Sequence, residues 1–456
     1  MTGGASAQGP TANDSRADDQ PAGGPPSSPL AIHVGDSDLL IGGFMDGTVI
    51  SRSTNTGNGI GTSFGSIPFK AGTNNVPNAP GNLSETRFSA QNSRLTLLAI
   101  SKVGDANIRG YLEADFLGNT ATNVNVTSNS NTVRMRLYWA DVQTGKFEFL
   151  AGQSWSFMTP NRTGVSPMPG DLFYSQDVDT NYQMGLTWGR VQQFRFIAHP
   201  NDTVALGVSL ENPEQYVGSA VVLPAAFNAA EVDTGAANVG STSAVPNPYP
   251  DIIGKMAVDP KTGKTHQHID AAFVVRGYKT FNPATSTDFT ATGSGGSVNV
   301  VLEPVPNFRL VATNFYSNGS GRYIANTNIP DFIVNADQSL SLVKSWSGIY
   351  GAELTSGKSL VYGYYSIAHA DQNITFDANG TTRIGFGVPN AQPPDHKIIE
   401  PTVGIIQTFF RDPKIGGMQL MIQYSYVQRT PLSVPASTPS TASTNMVYVN
   451  VRYLLP

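Results

Sequence analysis

The chain has 456 residues and a formal net charge of −5, and Asp, Glu, Lys and Arg together make up only 13% of it. Average soluble domains carry about 25% charged residues, so this composition argues against an ordinary cytosolic enzyme. Cysteine is absent, which excludes disulfides, Cys-ligated metals and Cys nucleophiles, and the mildly acidic balance gives no basis for a nucleic-acid partner.

Residues 1–36 are rich in Pro, Gly, Ser and Asp and contain few large apolar side chains, which predicts a disordered leader. Ala5-Ser6-Ala7, followed by Gln8, fits the small-residue cleavage pattern of a signal peptide, but no apolar core precedes it. Two interpretations stay open. The segment is either the remnant of a signal peptide that begins upstream, or a chance match among many small residues.

From residue 37 onward, apolar and polar residues alternate along many segments, for example 204–211 and 447–455. Period-two alternation is typical of a strand with one wet and one apolar face. No apolar run reaches the roughly 18 residues of a spanning helix, so no transmembrane helix is predicted. Sixteen strands are predicted, at about 39–52, 87–101, 106–117, 132–143, 146–157, 183–198, 203–212, 250–258, 266–278, 296–303, 307–316, 345–354, 359–369, 397–409, 417–428 and 445–455.

The links between these strands alternate strictly between long and short. The long links are 53–86, 118–131, 158–182, 213–249, 279–295, 317–344, 370–396 and 429–444. In a closed antiparallel barrel every second link lies at the same rim, and outer-membrane barrels have short periplasmic turns and longer extracellular loops. Closure also removes unpaired edges, which lipid does not tolerate. We therefore expect an all-β fold, a 16-stranded antiparallel transmembrane β-barrel over residues 37–456.

Five short motifs, taken together in their order and spacing, resemble the DcaP-like outer-membrane porins of Gram-negative bacteria. They are Asn92-Ser93-Arg94-Leu95, Arg109-Gly110-Tyr111-Leu112-Glu113-Ala114-Asp115-Phe116, Arg134-Met135-Arg136-Leu137-Tyr138, Leu150-Ala151-Gly152-Gln153-Ser154-Trp155-Ser156 and Leu210-Glu211-Asn212-Pro213-Glu214. The resemblance implies a homotrimeric porin in the cell outer membrane that passes small anionic solutes such as dicarboxylates.

Two features of the family do not carry over to this chain. Many members have an N-terminal coiled coil, whereas residues 8–35 contain no heptads. Outer-membrane barrels usually end in an aromatic residue that the barrel-assembly machinery reads, whereas this chain ends in Tyr453-Leu454-Leu455-Pro456. The assembly signal is therefore expected to be displaced or altered.

Four arginines fall on the polar phase of three consecutive strands: Arg94, Arg109, Arg134 and Arg136. We expect them to line the channel together with Tyr138, Glu113 and Asp115, because an arginine facing lipid at mid-depth costs about 2–4 kcal/mol. Guanidinium groups offer planar pairs of donors that match carboxylates, so the patch predicts a preference for anions. The alternative is that the two acidic residues neutralise the patch and leave no selectivity.

The third long link, residues 158–182, is the position at which general porins fold a segment inward to narrow the channel. It contains Arg162, Asp171, Asp177 and Asp179, which we take as candidate constriction residues. If the loop folds inward, its carboxylates would face the arginines and create a transverse field. Alternatively, the aspartates are solvated turn formers.

No catalytic, cofactor or metal site is predicted. The segment Gly152–Ser156 lacks the last glycine of the G-x-S-x-G motif, and no helix is predicted after it. His266 and His268 share one strand face, but an interpretation as polar lumen or rim residues is favoured over a metal site. The sequence thus predicts a passive diffusion porin without enzymatic activity. The alternatives are a barrel acting mainly as a surface adhesin or structural protein and, third, a secreted soluble β-protein.

Overall fold

Sixteen long antiparallel strands form one closed barrel in the computed structural model, which describes residues 30–57, 59–118, 131–167, 173–176, 183–235 and 245–456. In chain order they are β1 Ser37–Arg52, β2 Arg94–Val103, β3 Ala106–Asp115, β4 Arg134–Thr144, β5 Phe147–Trp155, β6 Arg190–Asn201, β7 Val204–Glu211, β8 Asp251–Val258, β9 Thr265–Asn282, β10 Thr287–Val305, β11 Phe308–Asn318, β12 Lys344–Ser356, β13 Ser359–Ala370, β14 Asp395–Asp412, β15 Gly416–Pro431 and β16 Ala442–Leu454.

The barrel closes between its first and last strands. Consecutive strands pair antiparallel around the whole sheet, and β1 pairs with β16, with Phe44 opposite Leu454 and Arg52 opposite Met446. Closure satisfies the backbone groups that an open sheet would leave at its edges. The predicted fold class, a closed 16-stranded antiparallel barrel, is confirmed.

The barrel is apolar outside and polar inside because each strand alternates its side chains. In β7, Leu206 and Val208 are exposed on the outer face, while Ala205 and Ser209 are buried on the inner face. The same belt continues around the sheet through Leu95, Leu112, Phe149, Phe194, Ile252, Phe273, Leu310, Val361, Val403, Ile422 and Val447. A soluble protein rarely exposes so continuous an apolar surface, which argues against the secreted soluble alternative.

Smaller elements decorate the barrel. The further short strands are Ala31–Val34, Glu85–Ser89, Val221–Val222, Lys261–Thr262, Phe332–Val334, Leu340–Leu342, Asn373–Phe376 and Arg383–Phe386. One α-helix, Ala79–Asn82, and 3-10 turns at Phe64–Ser66, Thr73–Asn75, Ala229–Glu231 and Gly321–Tyr323 complete the described elements. None of the described helices is long and apolar enough to cross a membrane.

The strict long–short alternation of links is wrong at one position. The predicted link 279–295 is mostly strand, because β9 and β10 continue past the barrel wall and meet at residues 283–286. Its Thr-, Ser- and Gly-rich sequence is typical of a loop, yet pairing along the full length of the hairpin satisfies the backbone. The long links therefore share their rim with one projecting β-hairpin.

Two further boundaries differ from the predictions. Residues 183–189 precede β6 and belong to an inward-folded loop, and the predicted strand 87–101 is interrupted between Glu85–Ser89 and β2. At the N-terminus, Ala31–Val34 pairs with the start of β1, although the sequence placed it in the leader. The candidate cleavage pattern at Ala5–Ala7 lies outside the described residues.

Candidate solute channel and its constriction

The four predicted arginines lie on the inner face of the barrel and are brought together by strand register. Arg94 on β2 is directly opposite Asp115 on β3, and Asp115 is opposite Arg134 on β4. Glu113 lies two residues before Asp115 on the same inner face of β3 and is fully buried. These residues therefore lie together on one stretch of the barrel wall.

Each of these arginines is held by a carboxylate. Arg134 Nη2 lies 2.6 Å from Asp115 Oδ2, and Arg136 Nη1 lies 2.8 Å from the same oxygen. Arg136 Nε also donates to Glu113, which in turn lies 3.6 Å from Arg94 Nη1. Nearer the periplasmic end, Arg109 Nη2 contacts Asp141 Oδ2 at 2.6 Å and Glu148 Oε1 at 3.8 Å. Four guanidinium groups and four carboxylates, including the unpredicted Asp141 and Glu148, thus form one wall cluster.

In two of these ion pairs the arginine side chain is more exposed to the lumen than its carboxylate partner. The Arg134 side chain is 31% exposed while its partner Asp115 is 1% exposed, and Arg109 is 29% exposed while Asp141 is 0% exposed. The carboxylates thus lie beneath the guanidinium groups, against the wall. Although the wall cluster is formally balanced, the surface that meets lumen water is cationic.

Tyr138 does not line the channel, which corrects its assignment. The residue lies on the outer face, 41% exposed, opposite the outward Leu112. A β-bulge explains the error: the register shifts between Glu113 and Ala114, so that Arg136 is the extra residue on β4. Arg136 and Leu137 both point inward as a result, and the period-two phase that carries Arg134 and Arg136 does not continue to Tyr138.

The third long loop folds into the barrel, which is the first of the two arrangements considered for it from the sequence. The Asn161 backbone N–H donates to Asp270 Oδ2 on β9 at 2.9 Å, and the Asn299 amide on β10 donates to the Asn161 carbonyl at 2.7 Å. Lys255 Nζ on β8 contacts the Thr159 carbonyl at 2.7 Å. These partners are inward-facing wall residues, so residues 159–161 run along the inside of the sheet.

Further parts of the same loop reach strands on the far side of the barrel. The contacts are Tyr174 N to Tyr364 Oη at 3.2 Å, Gln176 N to Gln423 Oε1 at 2.8 Å, Gln183 Nε2 to Glu400 Oε2 at 2.9 Å and Ser347 Oγ to the Gly185 carbonyl at 2.7 Å. The loop therefore extends across the lumen and narrows it. Asp171, Asp177 and Asp179 lie outside the described residues, so the transverse field expected from them stays a prediction.

Of the four candidate constriction residues, Arg162 is the one that lies within the described residues. Its Nη2 lies 2.6 Å from Glu353 Oε1 on β12, and its guanidinium packs over the Tyr174 ring at 4.6 Å. Arg309 on β11 reaches the other Glu353 oxygen at 3.2 Å and donates to Tyr174 Oη at 3.2 Å. We call Arg162, Arg309, Glu353, Tyr174 and Tyr364 the constriction cluster. Here too the carboxylate is buried, whereas Arg309 is 20% exposed.

Loosening the constriction cluster should make the channel current unsteady. In Glu353→Gln the carboxylate that holds Arg162 and Arg309 becomes a neutral amide, so the loop loses a charged anchor to β12. We expect more frequent closures and a broader distribution of single-channel conductance in planar bilayers. Asp288→Asn, on the exposed projecting hairpin, removes the same charge elsewhere and should leave the records unchanged. Steady wild-type currents in Glu353→Gln would contradict this anchoring role.

The extracellular loops pack against each other above the constriction. Phe64, Phe157, Tyr323, Phe332 and Phe386 are buried in one apolar cluster with inward wall residues. A second set of ion pairs fixes these loops to the wall. Arg276 on β9 contacts Asp251 at 3.0 Å and Asp331 at 2.7 Å, and Arg322 contacts Asp251 at 2.9 Å.

Glu214, in the long link after β7, is a buried carboxyl beside this set. Burial raises its pKa to about 7, and the nearby Asp233 and Asp331 push it the same way, against the opposing influence of Arg322 and Arg276. The neutral form is therefore favoured in the folded protein below about pH 7. As pH rises from the ordinary carboxyl pKa toward 7, the folded protein loses stability, because the unfolded chain releases this proton before the folded one does.

Glu214→Gln should remove this pH dependence. At pH 8 the variant is expected to unfold at a higher temperature than the wild type, because it no longer buries an ionised carboxylate. At pH 4 both folded and unfolded wild-type chains carry the neutral acid, so the two transitions should coincide. Thermal transitions of the detergent-solubilised barrel at both pH values measure this. If the unfolding temperatures of the variant and the wild type differ by the same amount at pH 4 and at pH 8, Glu214 does not change its protonation state between these two pH values.

The two candidate histidines occupy different surroundings. His268 is buried between Asp259, 2.9 Å from Nδ1, and Asp270, 3.0 Å from Nε2, while His266 Nε2 lies 2.9 Å from the Arg162 carbonyl. Both therefore contact the inward loop or the wall residues that anchor it. No group of three metal-binding side chains is found in the part of the chain that the structure describes.

Several charged lumen residues were missed at the level of sequence. They include Asp46, Arg195, Lys255, Asp270, Glu353, Glu400 and Arg452, all buried on the inner face. Each lies on the polar phase of an alternating strand, so the alternation that located the four arginines also marks these positions. What the alternation does not reveal is which of them meet across the lumen.

A closed, polar-lined barrel with an apolar belt and an inward-folded loop is the fold of outer-membrane porins. Among solved structures, the chain is similar to the outer membrane channel DcaP of Acinetobacter baumannii, with a TM-score of 0.64 and 17% identity over 92% of this chain and 98% of that one. The fold implied by the short motifs is thereby confirmed.

Two other porin structures match over similar lengths with lower scores. The anion-selective porin from Comamonas acidovorans has a TM-score of 0.49 and 11% identity, covering 92% of this chain and 99% of that one. OmpT of Vibrio cholerae has a TM-score of 0.48 and 11% identity, covering 93% and 99%. No protein-family model and no curated protein matches the chain.

Proposed function

We propose that this protein is a diffusion porin of the outer membrane that favours small anionic solutes and performs no chemical step. One observation carries the preference: in the wall cluster and the constriction cluster, guanidinium groups face the lumen and their carboxylate partners are buried beneath them. A permeating ion therefore meets cationic surface first. Low-dielectric walls focus this field and raise the local concentration of anions.

Two guanidinium groups at separate places on the lumen wall, those of Arg134 and Arg309, favour solutes with two carboxylates. Arg134 on β4 and Arg309 on β11 belong to different parts of the wall, and each presents planar donors that match a carboxylate. A dicarboxylate can contact one of these guanidinium groups with one carboxylate while its second carboxylate moves toward the other. A homotrimeric assembly, which the family resemblance implies, belongs to the same proposal.

Ion selectivity in planar bilayers tests the proposal directly. Folded protein should give stepwise conductance, and a KCl gradient should give a reversal potential of the sign expected for anion preference. Dicarboxylates should block the current at lower concentration than monocarboxylates of equal length. Cation preference would overturn the anionic assignment, and the absence of any stepwise conductance would favour the adhesin or structural alternative.

A further inference from the structure

A cluster of basic and aromatic side chains lies on the outer face of the barrel, at the extracellular ends of β12, β13 and β14. Strand register places Trp346 opposite His369, and His369 opposite Lys397, in one row across the three strands. Lys344, two residues before Trp346 on the same face, continues the patch toward the rim and is exposed. We call Lys344, Trp346, His369, His396 and Lys397 the rim patch.

The rings of the rim patch pack against each other. Trp346 and His369 are stacked with centroids 5.7 Å apart, and His369 meets His396 edge-on at 4.3 Å. His396 is exposed to this face by a register shift between Asp395 and Lys397, which adds a residue to β14. One carboxylate lies nearby: Asp371 Oδ1 is 3.7 Å from His369 Nδ1. The patch therefore holds two lysines and two histidines against a single acidic residue.

The height of the patch is that of a membrane interface. Tyr316 on β11 is opposite Trp346 and is 57% exposed on the outer face. Aromatic residues in transmembrane barrels form girdles at the boundary between hydrocarbon and headgroups. Lys344 lies on the rim side of this aromatic row, where lipid headgroups would be.

Basic side chains are concentrated in this arc and are sparser at other strand ends; β9, for example, carries one outward-facing lysine, Lys279, near its extracellular end. The outward residues near the extracellular ends of β1, β7, β8, β15 and β16 are Ser51, Leu210, Ile252, Gln428 and Asn445, all of them uncharged. A general attraction to headgroups would not require this concentration. A localised set of cations beside aromatic rings is instead typical of a site for a discrete anionic group.

We propose that the rim patch binds the phosphate groups of a phosphorylated glycolipid in the outer leaflet. Lys344 and Lys397 supply ammonium groups to the phosphates, the histidines supply ring N–H donors, and Trp346 packs against the sugar or upper acyl region. The inference rests on the proposed placement of the barrel in an outer membrane. It requires nothing of the solute preference.

Binding of lipid A to the folded, detergent-solubilised full chain tests the site. Diphosphorylated lipid A should bind wild-type protein, and Lys344→Gln with Lys397→Gln should weaken binding by up to about a hundredfold, since each charge-assisted contact exceeds a neutral one by a factor of about ten. Charge reversal at both positions should weaken it further. Dephosphorylated lipid A should bind wild type and the double variant equally.

A matched control removes two lysines at the opposite rim. Lys102→Gln with Lys414→Gln, both at exposed periplasmic positions, should leave lipid A affinity unchanged. Equal losses in control and rim variants, or no loss in either, would overturn the site. Dissociation of an oligomer by the rim variant alone would also overturn it, because the patch would then contact a second copy. Failure of conductance with lipid A binding intact would contradict only the porin proposal.

Discussion

Replacing both Arg134 and Arg309 by Gln is expected to shift the reversal potential in a KCl gradient toward cation preference. These two side chains present guanidinium surface to the lumen, and each shares its carboxylate with a second arginine: Arg136 for Asp115, and Arg162 for Glu353. The carboxylates therefore remain paired and the barrel should stay folded. At about 1 kcal/mol per charge at contact in water, the two charges amount to about 2 kcal/mol, so the anion-to-cation permeability ratio should fall by up to about thirtyfold.

The control for this variant is Lys414→Gln, which removes a positive charge at the periplasmic rim away from both clusters. It should leave the reversal potential near the wild-type value. Block by dicarboxylates should weaken only in the double arginine variant. An unchanged potential in that variant would mean that permeating ions do not encounter these guanidinium groups.

The second large effect is on stability. Arg136 is fully buried and contacts both Glu113 and Asp115, so Arg136→Met leaves two buried carboxylates short of a counter-charge. Removing one partner of a buried pair costs about 3–5 kcal/mol. We expect a lower urea midpoint for the folded barrel in detergent, measured by the loss of heat-modifiable gel migration.

Two comparisons isolate the cause of that loss. Arg134→Gln removes a half-buried guanidinium from the same cluster and should cost about 1 kcal/mol or less, as for exposed pairs. Adding Glu113→Gln to Arg136→Met should restore part of the stability by removing one stranded charge. If Arg136→Met is no more destabilising than Arg134→Gln, the buried cluster does not contribute as its geometry indicates.

The alternation of side chains was enough to predict most of the barrel. All sixteen strands were located, because each buries one face and exposes the other to lipid. This alternation can be read from consecutive residues of a single strand. The inward direction of Arg94, Arg109 and Arg134 follows from the same rule. Tyr138 departs from it because a bulge at Arg136 shifts the phase, and a bulge depends on pairing with the neighbouring strand.

Local sequence patterns did not predict the contacts between segments that lie far apart in the sequence. Asn161 meets Asp270 and Arg162 meets Glu353 although more than a hundred residues separate each pair. The burial of carboxylates beneath arginines, which decides between a neutral wall and a cationic one, also emerges only when both strands are in place. Polarity predicted which residues face the lumen, but not which of them water reaches.

The projecting hairpin of β9 and β10 gives the molecule an asymmetric outline. A spanning strand needs about 9–11 residues, so roughly seven residues of each strand rise beyond the wall, about 20 Å at the usual tilt. Its tip at residues 283–286 is thus exposed on the extracellular side, where an antibody or a phage fibre approaching the cell can contact it. An epitope inserted there would be displayed without disturbing the passage below.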